Sequence, residues 1–365
     1  DVIMSARDLN EKLRIVARVW EDDADARVRQ FFRVHATYST SSIATPAFAG
    51  AAVGVEIAQI FHIGQQDCSL IRLEVAAGSI FEDRTVAELQ SDLDISIVMV
   101  KKGDLPEFSP GERVMVRAGD SIMVFAEYQQ LVNLIASNVN ADQGHIIVMG
   151  VGHVGERVTN LLLSMGYRVA VIDREMPGLL RSRLTAYGCQ AIQGEGNTVR
   201  TLDEANIMRA AAMIVATAND RINFDVSTLA RDMNPDLRIV TRVHDARLAR
   251  QMERYLGVRE AISPADVVTP AFVGAATGSY VAKSFQFGGR EYSTVRVPVE
   301  RGGRFIGRTL DALETDLDID VMIMERRGKT RVAPPLDQIA EIGDELVIFA
   351  EHKTLERILE QGYSR

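Results

Sequence analysis

The sequence repeats itself in one fixed register. Arg14-Ile15-Val16-Ala17-Arg18-Val19 returns as Arg238-Ile239-Val240-Thr241-Arg242-Val243, so that position 14 falls on position 238. The same offset carries Thr45-Pro46-Ala47-Phe48 onto Thr269-Pro270-Ala271-Phe272, and Asp92-Leu93-Asp94-Ile95 onto Asp316-Leu317-Asp318-Ile319. It also carries Phe125-Ala126-Glu127 onto Phe349-Ala350-Glu351. A constant offset over widely spaced blocks marks a tandem duplication, so the chain must fold as one architecture built twice. Run backwards, the offset lays Asp1 on Asp225, and residues 144–224 find no counterpart. The expectation is that the native protein continues upstream, because half a sheet would leave a strand edge and an apolar face uncovered.

The 365 residues are 47% hydrophobic and 25% charged, enough to bury full cores and incompatible with general disorder. Lys+Arg number 41 against Asp+Glu 50, a net charge of −9, which argues against a nucleic-acid or anionic-lipid surface spread over the chain. Cys68 and Cys189 have no CxxC or Cys/His context, so neither a disulfide framework nor a zinc site is expected, and a reducing compartment follows. The most apolar windows, Ile43–Phe61 and Val267–Phe285, are rich in Ala and Gly and carry Glu56 and Lys283. They read as buried helices, not membrane spans.

The second copy has the readable pattern. Apolar runs at His145–Met149, Arg168–Ile172, Cys189–Gln193, Ala212–Thr217, Leu237–Val243 and Val258–Ile262 alternate with helical segments. Runs with little polar alternation, each followed by a helix, indicate a doubly wound α/β lobe with a parallel sheet covered on both faces. A Gly/Ala-rich helix then opens at Ser263-Pro264 and is expected to end near Phe285; its first-copy equivalent is expected over 43–61. Alternating strands with Gly/Asp turns in 290–365, and again in 67–137, predict a small α+β module after each helix.

The chemical signal is Gly150-Val151-Gly152-His153-Val154-Gly155 between a strand and a helix. Gly150 permits the tight turn, Gly152 lets the backbone approach a pyrophosphate, and Gly155 allows helix and strand to pack closely. Unpaired amides and the positive dipole end would hold the anion. His153 and Val154 occupy the variable loop positions. Asp173, at the end of the next strand, is placed to accept adenosine ribose hydroxyls and to repel a 2′-phosphate, favouring NAD(H) or ADP/ATP over NADP. Arg174 beside it reads as an adenine-stacking or a solvated side chain. Gly194-Glu195 follows the third strand and Thr217 the fourth, both at the carboxyl edge where such folds bind ligands. Arg242 is repeated as Arg18, so packing or ion pairing shared by both copies competes with a phosphate role.

Asp92/Asp94 and Asp316/Asp318, with Asp320, are candidates for a divalent cation, but acidic helix-to-strand turns are common and no metal is assigned. An oxidoreductase would need a proton donor and a substrate clamp. Residues 290–351 hold no histidine, no Tyr-x-x-x-Lys or nucleophilic Cys context appears, and the six histidines show no metal spacing. The chain is therefore read as a non-enzyme. Thr45-Pro46 and Thr269-Pro270 are read as an N-cap followed by a first-turn proline. Gly50/Gly54 and Gly274/Gly278 are expected to flatten one face of each helix.

VMGVGHVGERV, VIDRE, MIVATAND, RIVTRV and Ala261-Ile262-Ser263-Pro264 together resemble the RCK (TrkA-N, KTN) domain, and residues 290–365 resemble the associated TrkA-C domain. The resemblance implies six segments: the rear of a first N-lobe (1–43), a crossover helix (44–63), a TrkA-C-like module (64–140), a complete nucleotide-binding lobe (144–263), a second crossover helix (264–286) and a second module (287–365). It implies crossover helices that swap between neighbouring lobes, and contacts to a regulatory nucleotide from Gly150, Gly152, His153, Val154, Gly155, Asp173, Arg174, Gly194, Glu195 and Thr217. Glu195 departs from the family's more frequent aspartate. By the same resemblance the chain is a ligand-sensing gating-ring region at the cytoplasmic face of the membrane. It would form homo-oligomers, dimers assembling into a ring of four chains, and would act on a potassium-channel pore encoded upstream or, alternatively, on a Trk-type transporter subunit. No nucleic-acid partner is implied.

Overall fold

A computed structural model describes residues 2–19, 28, 31–32, 34–63, 66–103, 105–108, 110–127, 130–131, 133–134, 144–277, 285–287 and 290–363. The chain divides into two compact units, Asp1–Val55 with Asn140–Thr277, and Glu56–Val139 with Gly278–Arg365. Each unit draws one segment from each copy.

In the first unit the second copy forms a six-stranded parallel sheet in the spatial order 190–193, 169–173, 145–149, 210–215, 238–242, 260–262. The strand order therefore reverses beside 145–149. Successive residues of that central strand serve opposite faces. Ile146 and Val148 enter one apolar cluster with Val154, Val158 and Leu162 of the helix His153–Ser164. Ile147 and Met149 enter another with Leu202, Val226, Ala230 and Met252, from the helices on the far side.

The first cluster is completed by the first copy. Ala44, Phe48, Ala49, Ala51 and Ala52 of the helix Thr40–Val53 lie in it, and Phe48 is fully buried. Small side chains let this helix approach the sheet closely. In return, the second-copy helix Pro264–Thr277 packs on the first-copy strands Val16–Val19 and Ala36–Ser39, which pair in parallel. Phe272 meets Tyr38 with ring centroids 5.2 Å apart, and Arg14 donates to the Ala275 carbonyl at 3.0 Å. The two copies exchange their crossover helices.

The second unit holds two antiparallel sheets of one design. Strands 55–63, 66–74, 121–127, 96–102 and 105–108 lie in that order, and strands 285–287, 290–298, 345–351, 320–326 and 329–332 repeat it. Leu70 and Phe125 share a core with Tyr292 and Phe349, the last two stacked at 5.6 Å.

Three local expectations are corrected. The helix expected over 43–61 spans Thr40–Val53, because Gly54 adopts the left-handed region at φ 87° and ends it; Val55–Ile63 is a strand. The second helix runs from Pro264 to Thr277 and Phe285 lies in a strand; Gly278 falls outside the described residues. Thr45 is not an N-cap and Pro46 is not in the first turn. Ser39 caps the helix by accepting from the Ser42 amide, and the Thr45 hydroxyl donates back to the Ser41 carbonyl at 2.7 Å. Position 270 likewise lies inside its helix.

Candidate nucleotide cleft

A cleft of about 490 Å³ opens at the carboxyl ends of the parallel strands, where their order reverses. That is the ligand position of doubly wound sheets, and the size falls within the roughly 300–1,000 Å³ of small-molecule sites. Its walls include Gly150, Gly152, His153, Val154, Asp173, Arg174, Glu195 and Thr217. Eight of the ten residues expected from sequence thus face one space. Gly155 and Gly194 are not among its walls.

The glycines have separable reasons. Gly150 turns at φ 92°, in the left-handed region. A Cβ on Gly155 would stand 1.7 Å from the Gly150 carbonyl oxygen, so only glycine lets this helix sit on the loop. A Cβ on Gly152 would meet nothing within 4 Å. Gly152 is also the N-cap of the helix His153–Ser164 and offers no side-chain cap. Gly152, His153 and Val154 at the start of that helix line the cleft, and a helix N-terminus favours an anion. Gly194 is held differently: a Cβ there would stand 2.8 Å from Thr201 Oγ1.

Asp173 has a structural task besides the expected one. Its Oδ2 accepts the Val151 amide at 2.7 Å and its Oδ1 the Glu175 amide at 2.9 Å. The second strand thereby fixes the glycine loop, and each carboxylate oxygen keeps further acceptor capacity. Arg174 is exposed and lies 3.4 Å from Glu175. Thr217 and Asn223 are hydrogen-bonded side chain to side chain, and Asn223 Nδ2 also donates to the Thr217 and Arg242 carbonyls.

Residues outside the expected set complete the cleft. Arg18, Thr40 and Ser41 come from the first copy, and Asn219, Arg242 and Pro264 from the second. Arg242 Nη2 lies 3.2 Å from His244 Nε2, and His244 Nδ1 lies 2.9 Å from Asp220 Oδ1. Burial would raise the Asp220 carboxyl, but hydrogen bonds from the His244 ring and from the His244 and Asp245 amides hold it below its ordinary value. Repetition of Arg18 as Arg242 was the available signal; convergence of the two could not be read from it. In the acidic turns Asp92 pairs with Arg84 and Asp316 with Arg308. Among the described residues no group of three or more His, Cys, Asp or Glu is placed to hold a metal, and no helix is long and apolar enough to cross a membrane.

Fold and cleft define a tandem, doubly wound α/β protein with a nucleotide-type site and exchanged crossover helices. Residues 146–264 match the TrkA-N domain family. The chain is 24% identical over 234 residues to the Trk system potassium uptake protein TrkA of Haemophilus influenzae, covering 60% of this chain and 51% of that protein. It is 34% identical over 114 residues to TrkA of Streptomyces coelicolor, covering 31% and 50%. The chain thus spans about half the length of these curated relatives. Structures of the GsuK channel, one of them bound to NAD, superpose with TM-score 0.56 at 18% identity over 99% of this chain and 64% of the channel. At that identity the likeness is one of fold.

Proposed function

We propose that the chain is a ligand-sensing regulatory region of a potassium channel, in which an adenine nucleotide, NAD(H) or ADP/ATP, occupies the cleft and biases the state of an attached pore. The observation that carries this reading is the glycine loop at the start of the helix His153–Ser164, whose Gly150, Gly152, His153 and Val154 line a cleft shared by both copies. Asp173 supplies ribose acceptors, and Gly150, Gly152 and the following amides supply the phosphate cradle. The relatives, named as Trk potassium uptake proteins, support reading the chain as a non-enzyme.

The same site also suits a regulatory subunit of a Trk-type uptake system, the function named for its relatives. GsuK-like fold along nearly the whole chain favours the channel reading. Chains would assemble as dimers into a ring of four at the cytoplasmic face of a membrane. A nucleotide moves such a ring only if it binds one conformation better than another.

Thermal-shift titration with NAD, NADH, ADP and ATP tests the reading, since a ligand of the folded state must raise the melting temperature. Gly152→Ala is the matched variant. Its methyl meets nothing within 4 Å in the free protein, so stability should stay within about 0.5 kcal/mol, while the ligand concentration needed for a given stabilisation should rise at least tenfold. No shift with any of the four nucleotides would overturn the proposal.

A further inference from the structure

We propose that Asn223 is a positioning residue of the cleft: it orients the Thr217 hydroxyl so that Thr217 meets a bound nucleotide only as a hydrogen-bond acceptor. This rests on the nucleotide reading of the cleft and deepens it.

Asn223 lies one turn into the helix Asp220–Met233, which follows the strand 210–215. It is fully buried and is not among the walls of the cleft, whereas Thr217 is. Asn219 caps this helix by accepting the Arg221 and Ile222 amides, and the Asn223 backbone amide donates to the Asn219 carbonyl at 3.0 Å. The cap therefore fixes the backbone from which the Asn223 side chain extends.

Chemistry fixes the orientation of that side chain. Strands 210–215 and 238–242 share their last ladder pair at Val215 and Thr241. Beyond it Asn223 bridges them, with one end of its amide 3.0 Å from the Thr217 carbonyl oxygen and 2.9 Å from the Arg242 carbonyl oxygen. Carbonyl oxygens only accept, so that end is Nδ2 and donates both of its hydrogens. Oδ1 is then turned to the Thr217 hydroxyl, 2.5 Å away. An amide oxygen has no hydrogen to give, so the hydroxyl donates. The other acceptor in its range, the Asn219 carbonyl at 3.4 Å, is farther off. Burial holds the arrangement, because an enclosed amide that lost these partners would be costly.

A threonine oxygen has one hydrogen and two lone pairs. With the hydrogen committed to Asn223, Thr217 has only lone pairs to offer, and the Asn219 amide reaches one of them at 3.3 Å. An unconstrained hydroxyl would rotate to suit donor or acceptor alike; this one does not. The ligand group met at Thr217 is therefore a donor, a sugar hydroxyl or an amino group. Asn223 sets that polarity without touching the ligand.

The test is calorimetric titration of the full chain with NAD and with ADP. For each nucleotide that wild type binds, Thr217→Val should weaken binding about three- to tenfold, and Thr217→Ser should keep wild-type affinity. Asn223→Leu should weaken binding by a similar factor. Asn223→Leu combined with Thr217→Val should bind within about twofold of the weaker single variant, because both changes break one hydrogen-bonded unit. Losses that multiply would make Asn223 a strut between strands and overturn the proposal, as would unchanged affinity in Asn223→Leu. Where Asn223→Leu fails to fold, the nitrogen-15 NMR signal of the wild-type Asn223 side-chain amide decides. Saturating nucleotide should shift it in wild type and in Thr217→Ser but not in Thr217→Val; a shift that persists in Thr217→Val overturns the proposal. Each of these contrary results leaves the nucleotide reading standing. Failure of both nucleotides to bind wild type overturns that reading and this proposal together.

Discussion

The Asp173 carboxylate accepts the Val151 amide at 2.7 Å, so the residue proposed to hold the ribose also clasps the loop proposed to hold the phosphate. Asp173→Ala leaves the Val151 and Glu175 amides without this acceptor and should cost about 1–2 kcal/mol in chemical denaturation. The same variant should erase any preference for ADP over its 2′,3′-dideoxy analogue. Wild type should show that preference at about tenfold or more. A variant that loses stability yet keeps the preference would separate the two tasks.

The two α+β modules differ at one buried pair. In the second, Val321 donates to Glu314 Oε1 at 2.9 Å; in the first, Ile97 donates to Gln90 Oε1 at 2.9 Å. Asp320 corresponds likewise to Ser96. Burial pushes Glu314 up from 4.5 to about 7, with Asp311 adding to the rise, and burial beside Glu314 raises Asp320 well above its ordinary value. The folded chain therefore holds protons that the unfolded chain releases near pH 4.5, and stability should fall as pH climbs from about 4.5 to about 7. Glu314→Gln should flatten that decline and gain about 1–3 kcal/mol above pH 7. Urea denaturation at half-unit pH steps measures it.

Phe48 and Phe272 are repeat equivalents in the exchanged helices, but Phe48 is fully buried and Phe272 only partly so. Phe48→Ala should cost about 3–5 kcal/mol, as emptying a closed aromatic site usually does. Phe272→Ala should cost less than half as much, because its ring is already partly wet. Equal losses in thermal unfolding would contradict this asymmetry.

Much of the lobe was legible because its signals are local. The helices Asp220–Met233 and Ala246–Leu256 begin and end where Asn219, Asp245 and Gly257 provide caps that can be read in the sequence. The loop at 150–155 was legible for the same reason. Gly54 was not: one helical turn after Gly50 in an alanine-rich run, it looks like a packing glycine, and only its backbone angle reveals a stop. Arg18 was legible as a repeat but not as part of the cleft. Its place there depends on two segments from opposite halves of the chain trading helices, and no local pattern encodes that trade.

Covalent linkage changes what the trade means. When lobes of separate molecules swap elements, dilution can part them and every substitution appears on both sides at once. Here the tether keeps each lobe at high effective concentration for the other, and the halves are free to diverge. Gln90 facing Glu314 across the duplication, and Phe48 facing Phe272, are what such freedom leaves behind: a pseudo-symmetric body able to specialise one side without dismantling its mate.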